Sequence, residues 1–125
     1  MTVRRAACLV LALGLAMLPA CRQNAAWQMR LRVLPDNPSM VKPMTFSVHI
    51  TDANAQPVAN AEVTGVLTMK TMDMGKTELR FTSKGNGDYE AFRPDMDMSG
   101  PWVLTLEAAQ GSTRAKQSFD FTVGD

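Results

Sequence analysis

Two short segments of the chain alternate methionine with aspartate, a combination that can bind a soft metal ion. The first is Met69-Lys70-Thr71-Met72-Asp73-Met74-Gly75, and the second is Asp95-Met96-Asp97-Met98-Ser99-Gly100. Thioether sulfur is a soft ligand suited to Cu(I), and it coordinates without losing a proton, so binding would depend little on pH. The metal ligands predicted from this pattern are Met72, Met74, Met96 and Met98, and Met69 and Met44 are additional candidates of lower rank.

The same methionines could instead serve packing or protein contact. Methionine is a flexible side chain that fills irregular gaps in a core, so these residues could close the open end of a sandwich. Gly75 and Gly100, which follow the clusters, could simply serve turns. The methionines could also form a surface that docks a partner protein. The sequence leaves all three roles open, and one cluster could serve two of them.

Catalysis and imidazole-based metal binding find little support in the residues. His49 is the only histidine, and its parity in a predicted strand places it on an outer face, so an imidazole-based Cu(II) site is disfavoured. The sequence offers no evident Ser/His/Asp constellation and no glycine-rich phosphate loop. Asp95 and Asp97 alone are weak evidence for an acid/base pair. We therefore expect a protein that is not an enzyme.

The elements that would position the methionines are predicted to be β-strands. From residue 26 onward, apolar and polar residues alternate with period two, and turn residues interrupt the alternation about every dozen positions. Gly65 suggests a bulge in the third strand, where Val63 and Val66 differ in parity. This pattern predicts an all-β sandwich of seven strands at residues 27–34, 45–51, 62–69, 77–83, 88–92, 102–108 and 116–123.

The alternation also predicts which side chains form the core. Residues that alternate with polar neighbours along one strand share a face of the sheet. The core candidates are Trp27, Met29, Leu31, Val33, Phe46, Val48, Ile50, Trp102, Leu104, Leu106, Phe119, Phe121 and Val123.

Strand counting predicts where the methionines lie in space. If successive strands run antiparallel, the first, third and fifth loops emerge at the same end of the sandwich. Those three loops and their borders contain seven methionines, which are therefore predicted to share one end: Met40, Met44, Met69, Met72, Met74, Met96 and Met98.

The N-terminal segment has the pattern of a lipoprotein signal peptide. Arg4 and Arg5 precede an apolar run of about 13 residues, which is too short to span a bilayer, since that requires roughly 20. Leu18-Pro19-Ala20-Cys21 resembles a bacterial lipobox, which implies that Cys21 is lipidated and becomes the mature N-terminus. Arg22 rather than Asp follows the cysteine, so the resemblance implies an outer-membrane anchor facing the periplasm if the cell is Gram-negative.

The predicted processing leaves one small domain. Removing the signal peptide, residues 1–20, from the 125-residue chain leaves 105 residues, of which 21–26 form a lipidated tether and 27–125 the domain. The remaining chain contains 11 basic and 12 acidic residues, and this near-neutral charge argues against nucleic-acid binding. Cys8 leaves with the signal and Cys21 would carry lipid, so the domain would have no disulfide.

Several of these motifs together resemble a known family. The lipobox, the turn at 52–61, the Met-x-x-Met-x-Met-Gly loop, Gly87-Asp88-Tyr89 and Met98-Ser99-Gly100-Pro101-Trp102 look like the YtkA-like and FixH-like domains of bacterial envelope proteins, over roughly residues 27–123. The resemblance implies an immunoglobulin-like, seven-stranded antiparallel β-sandwich. FixH-like members are linked to copper supply for respiratory oxidases, which implies a copper-handling or respiratory-complex assembly protein as partner.

The predicted function follows from the residues and the resemblance together. We expect a lipid-anchored envelope protein that binds or delivers Cu(I), with Ag(I) as the alternative ion. The rival prediction is an accessory module that docks another envelope protein and binds no metal. In that case the methionines would form a core plug or a contact surface.

Overall fold

A computed structural model describes residues 26–125, which form two antiparallel β-sheets. The predicted signal peptide and the predicted lipidation site at Cys21 lie outside the described residues. Within the described part of the chain, no helix is long and apolar enough to cross a membrane. The strands are β1 (Gln28–Leu34), β2 (Met44–Thr51), β3 (Glu62–Met69), β4 (Thr77–Arg80), β5 (Thr82–Gly85), β6 (Asp88–Arg93), β7 (Gly100–Gln110) and β8 (Thr113–Val123).

The two sheets pack as a sandwich around an apolar interior, which confirms the predicted all-β class. One sheet has the strand order β1-β2-β6-β5, and the other has the order β4-β3-β7-β8. Strands β2 and β7 show the alternation most clearly, because Phe46, Val48 and Ile50 are buried while Ser47 and His49 between them are partly exposed. Leu104 and Leu106 are buried in the same way on the facing sheet.

The prediction of seven strands is wrong by one, because segment 77–83 forms two strands in different sheets. Strand β4 pairs with β3, whereas β5 pairs with β6. Phe81 lies at the crossing, where its N–H donates a hydrogen bond to the carbonyl of Val63 at 3.1 Å and its ring packs against the core. Leu79 and Phe81 continue one alternation through the crossing, so the sequence pattern does not reveal it.

The prediction of a bulge at Gly65 is also wrong. Gly65 pairs in continuous register with Leu106 on one side and Leu79 on the other, so Val63, Gly65 and Leu67 share the inner face. A Cβ atom on Gly65 would lie 2.8 Å from Cδ1 of Leu104 and 3.1 Å from Cε1 of Phe81. The glycine therefore makes room for two core side chains. The register shift in this fold lies instead between Ser83 and Gly85.

All five half-buried core candidates lie on or beside the edge strands β1 and β8, although Met29 and Val123 on the same two strands are buried. An edge strand has a neighbour on one side only, so some of its inward side chains remain partly accessible. The ring of Phe121, on the edge strand β8, packs edge-on against Phe46 with centroids 5.4 Å apart. Eight candidates are buried: Met29, Phe46, Val48, Ile50, Trp102, Leu104, Leu106 and Val123. Five are half-buried and pack against them: Trp27, Leu31, Val33, Phe119 and Phe121.

Candidate functional site

Three loops that contain methionine lie at one end of the sandwich, which we call the Met pole: residues 35–43, 70–76 and 94–99. The N–H of Met96 donates a hydrogen bond to the carbonyl of Met40 at 3.1 Å, and the N–H of Lys70 donates one to the carbonyl of Pro101 at 3.0 Å. The additional strand does not alter this grouping, because β5 continues in the direction of β4 after crossing between sheets. The seven methionines therefore belong to the same end.

Burial divides the predicted metal ligands into two groups. Met44 and Met96 belong to the hydrophobic core, with exposed fractions of 1% and 3%. Met72, Met74 and Met98 are accessible, with exposed fractions of 49%, 41% and 37%. Met69 is half-buried and packs against the core from the border of the pole. Each cluster thus contributes accessible sulfur, although the second cluster also contributes a core residue.

Loop 94–99 has a backbone that is fixed from both sides. The buried side chain of Met96 and its hydrogen bond to Met40 hold the middle of the loop. The indole Nε1 of Trp102 donates a hydrogen bond to the carbonyl of Met98 at 3.0 Å. The N–H of Met40, in loop 35–43, donates a hydrogen bond to the carbonyl of Gly124 at 2.9 Å. Loop 94–99 is therefore connected through Met40 to the end of β8. The exposed thioether of Met98 therefore stands on an ordered loop.

Loop 70–76 is held at its base and extends into solvent beyond it. The ammonium of Lys70 lies 2.9 Å from the carboxylate of Asp120 on β8. Further along, the carboxylate of Asp73 accepts a hydrogen bond from the N–H of Gly75 at 3.0 Å, which shapes the turn around Met74. Residues 68–76 line an open depression of about 390 Å³, and Met72 and Met74 both belong to its wall.

Met69 lies where the two loops join the sheet. It pairs with Trp102 in the register of β3 and β7. Its Cε methyl occupies the space next to Gly100, where an added Cβ would come within 2.7 Å. Gly100 has a φ of +128°, a conformation that L-residues rarely adopt. The glycine thus allows close approach of the methionine to the start of β7.

Hard metal ligands do not cluster in residues 26–125. No group of three or more His, Cys, Asp or Glu side chains among them could hold a metal ion. His49 lies on the outer surface of its sheet, as its parity predicts, with Nδ1 2.7 Å from Oδ1 of Asp88. Asp88 follows the turn at the end opposite the Met pole, so the imidazole does not belong to the pole.

Two exposed apolar residues at or beside the Met pole are not among the predicted site residues. Val41 in loop 35–43 and Phe92 near the end of β6 have exposed fractions of 71% and 64%. Phe92 pairs with Thr45, the neighbour of Met44, so it lies beside the pole. Its parity, opposite to that of Tyr89 and Ala91, is the sequence signal that indicates exposure. In the described residues, all five exposed large hydrophobic side chains lie at or beside this end.

Solved structures with similar folds do not indicate a function for this chain. A DUF4426 family protein from Pseudomonas aeruginosa PAO1 has a TM-score of 0.58 and 16% identity, covering 82% of this chain and 94% of that chain. FdeC, an Escherichia coli adhesin, has a TM-score of 0.56 and 23% identity, covering 86% of this chain and 33% of the adhesin. This chain thus spans about a third of the solved FdeC chain. At these identities the similarity shows the fold alone.

Sequence comparison assigns the chain to a family. No curated protein matches it. The family described as YtkA-like matches residues 22–107, which is most of the 125-residue chain and includes both methionine clusters. The match confirms the YtkA-like part of the resemblance that the motifs indicated, whereas the FixH-like part stays a prediction; the chain belongs to the YtkA-like family.

Proposed function

We propose that this protein is a lipid-anchored envelope protein that binds or delivers a soft metal ion, with Cu(I) as the preferred ion and Ag(I) as its analogue. The ligands are the thioethers of Met72, Met74 and Met98, with Met69 in support. The observation that carries the proposal is the exposure of these three methionine residues at one end of the sandwich.

Core packing accounts for only part of the methionine content of the pole. Met44 and Met96 fill the end of the sandwich, and we assign them to packing rather than to metal binding. The side chains of Met72, Met74 and Met98 remain accessible, so they contribute little to the core. An apolar side chain in water brings no stability, and polar residues would serve an exposed turn equally well. Metal binding gives these sulfurs a role that packing does not.

The chemistry of the pole suits a soft monovalent cation. Cu(I) accepts thioether ligands, and these bind without releasing a proton, so the affinity should change little with pH. Asp73, Asp95 and Asp97 are exposed beside the sulfurs and add negative potential that favours a cation. The Asp73 carboxylate already accepts the Gly75 N–H, so its contribution is to shape the turn and to supply charge.

The predicted anchor would hold the Met pole away from the membrane. Strand β1 begins at the opposite end, where Gln28 pairs with Thr51. A lipid on Cys21 would keep that end near the bilayer, because residues 22–26 span at most about 17 Å. The seven residues of β1 then separate the two ends by about 23 Å. In a Gram-negative cell the pole would face the periplasm from the outer membrane.

The strand order and the FixH-like resemblance of the motifs extend the proposal to a finer fold class and a partner. The strand order, with β1-β2-β6-β5 facing β4-β3-β7-β8, resembles the arrangement of immunoglobulin-like sandwiches and supports that classification. A FixH-like relationship would connect the protein with copper supply to respiratory oxidases. The partner would then be a copper-handling or respiratory-complex assembly protein. The proposal includes neither catalysis nor nucleic-acid binding.

A competition experiment tests the metal proposal. Full-length protein in detergent is titrated anaerobically with Cu(I) in the presence of a chromophoric chelator. The test variant replaces Met72, Met74 and Met98 by Leu, which keeps the apolar volume and removes sulfur. The matched control replaces three buried methionines, Met29, Met44 and Met96, by Leu, and circular dichroism checks that both variants fold.

Wild type and the buried-methionine control should compete for Cu(I), whereas the exposed-methionine variant should lose at least about tenfold in affinity, or 1.4 kcal/mol. The proposal fails if wild type does not compete with the chelator. It also fails if the exposed-methionine variant competes as well as wild type.

A second candidate function is docking of another envelope protein without metal. The observation that favours it is the exposure of Val41 and Phe92, which contain no sulfur and lie beside the methionines. Exposed apolar residues gathered at one place commonly mark a protein contact. A photo-crosslinking residue at position 41, compared with one at Ser112 at the opposite end, tests this function in intact cells. Equal crosslinking from both positions would exclude a specific contact at the pole.

A further inference from the structure

We propose that Met72, Met74 and Met98 form an oxidation-sensitive set, which peroxides convert to methionine sulfoxide while the sandwich stays folded. The conversion would remove soft-metal binding from the Met pole, and this second part rests on the proposed function. The first part depends only on which methionine residues are exposed.

Accessibility separates the three residues from the methionines that are buried or half-buried. Met72, Met74 and Met98 are exposed, whereas Met29, Met44 and Met96 are almost completely buried. A thioether has no proton to lose, so its reactivity is not governed by a pKa as that of a cysteine thiol is. Exposure therefore decides the rate at which each methionine reacts. Half-buried Met40 and Met69 should react after the exposed set.

The chemical step needs only a peroxide. A lone pair on the thioether sulfur attacks one oxygen of hydrogen peroxide, and the S–O bond forms as the O–O bond breaks. The departing hydroxide takes up the proton from the transferred oxygen and leaves as water. Sulfur is oxidised by two electrons and the peroxide is reduced by two. The product is a polar sulfoxide in place of an apolar thioether.

The fold should tolerate this change at the three exposed positions. Their side chains lie outside the core, so a polar oxygen on the sulfur remains in water. The hydrogen bonds that hold the two loops involve the carbonyl of Met98 and the carboxylate of Asp73, not thioether sulfur. Oxidation of Met44 or Met96 would instead place a polar group in the core. The fold should therefore survive oxidation of the three exposed methionines, whereas oxidation of Met44 or Met96 should disrupt its core.

The same change should abolish soft-metal binding. In a sulfoxide the accessible donor is an oxygen atom, which is a hard ligand and does not suit Cu(I) or Ag(I). Oxidation of the exposed set therefore leaves the pole with its charge but with only the half-buried thioethers of Met40 and Met69 as soft ligands. A bound soft cation should in turn protect the sulfurs, because their lone pairs are then engaged with the metal. Metal occupancy and oxidation would exclude each other.

Peptide mass mapping tests the order of oxidation. Metal-free full-length protein in detergent is treated with hydrogen peroxide, and sulfoxide at each methionine is measured over time. Met72, Met74 and Met98 should react at least about tenfold faster than Met29, Met44 and Met96. In urea the difference should disappear, which shows that it arises from the fold. Similar rates in the folded protein, or loss of the folded state once the exposed set has reacted, would overturn the proposal.

A second arm tests the effect on metal binding, with Ag(I) as a probe that is not itself oxidised under these conditions. Ag(I) should bind the untreated protein, slow oxidation of the exposed set and leave the rates at Met44 and Met96 unchanged. The oxidised protein should lose Ag(I) binding. Equal binding before and after oxidation overturns the regulatory part. If untreated protein does not bind Ag(I), the metal function and this regulation both fail, and the first arm alone decides selective oxidation.

Discussion

The indole Nε1 of Trp102 donates a hydrogen bond to the backbone carbonyl of Met98 across 3.0 Å. The Trp102 ring is buried in the core, whereas the Met98 side chain is exposed at the Met pole. One hydrogen bond thus connects the packed interior to the loop with the accessible sulfur. The position of that sulfur depends on the core through this bond.

Replacing Trp102 by Phe should loosen loop 94–99 more than it loosens the rest of the fold. The substitution removes the N–H donor and part of the ring, which should cost about 1–3 kcal/mol in the free energy of unfolding. Amide hydrogen exchange in residues 96–99 should become faster. Phe46→Leu, a core aromatic replacement that leaves the Trp102–Met98 hydrogen bond in place, is the matched control. Unchanged exchange at the loop in Trp102→Phe would show that the hydrogen bond does not order it.

The two methionines of the second cluster should differ sharply in their effect on stability. Met96→Ala removes a buried side chain and leaves a cavity, so we expect a loss of about 2–4 kcal/mol. Met98→Ala removes an exposed side chain and should change stability by less than about 0.5 kcal/mol. Urea denaturation of both variants under identical conditions provides the measurement. Equal losses would contradict the assignment of Met96 to packing.

Alternating sequence predicted the all-β class, all but one of the strands and the common end of the methionine loops. The burial of residues such as Phe46, Val48 and Ile50 can be predicted from the alternating sequence, because alternate side chains of a strand point to the same face. The miscounted strand did not affect the grouping of the loops. The crossing at Phe81 changes the sheet but not the direction of the chain, and loop position depends on direction.

The division of methionines into buried and exposed could not be predicted from the sequence. Met96 and Met98 have the same spacing as Met72 and Met74, yet only Met96 is buried. Loops have no fixed period, so parity does not assign a face to their residues. What distinguishes Met96 is its hydrogen bond to Met40, a contact between distant parts of the chain. Such contacts exist only after the sheets have assembled.

Gly100→Ala should disturb the pole through Met69. The new Cβ would come within 2.7 Å of the Met69 methyl, and the φ of +128° is unfavourable for alanine. We expect a loss of about 1–3 kcal/mol, mainly from backbone strain, because the Met69 methyl ends a flexible side chain and can shift at little cost. Gly111→Ala is the control, because Gly111 also has a positive φ, +60°, but has no neighbouring atoms within 4 Å of the added Cβ. Its cost should be about 1–2 kcal/mol.

The Met69 methyl should also move in Gly100→Ala and not in Gly111→Ala. Its methyl resonance in a carbon-13 NMR spectrum, assigned with a Met69→Leu variant, reports this change. Equal stability losses for the two glycine variants, with an unshifted Met69 resonance, would show that the close approach at Gly100 does not constrain the pole.

Gly65→Ala tests whether the preference of a strand for alanine over glycine outweighs the lack of space for a methyl group in the core. In a strand, alanine is favoured over glycine by about 0.5–1 kcal/mol, and Gly65 does not have a positive φ that would oppose the change. The added methyl would, however, lie 2.8 Å from Leu104 and 3.1 Å from Phe81. Overpacking of this kind costs about 1–3 kcal/mol, so the variant should be destabilised.

A double-mutant cycle with Leu104→Ala isolates the steric effect at Gly65. Leu104→Ala alone leaves a cavity beside Gly65 and should cost about 2–5 kcal/mol. In that background the methyl of Gly65→Ala no longer meets the leucine, so its own cost should fall towards zero or become favourable. The coupling energy should reach about 1–2 kcal/mol by urea denaturation. Additive losses would mean that Leu104 does not restrict position 65 and that the glycine is retained for another reason.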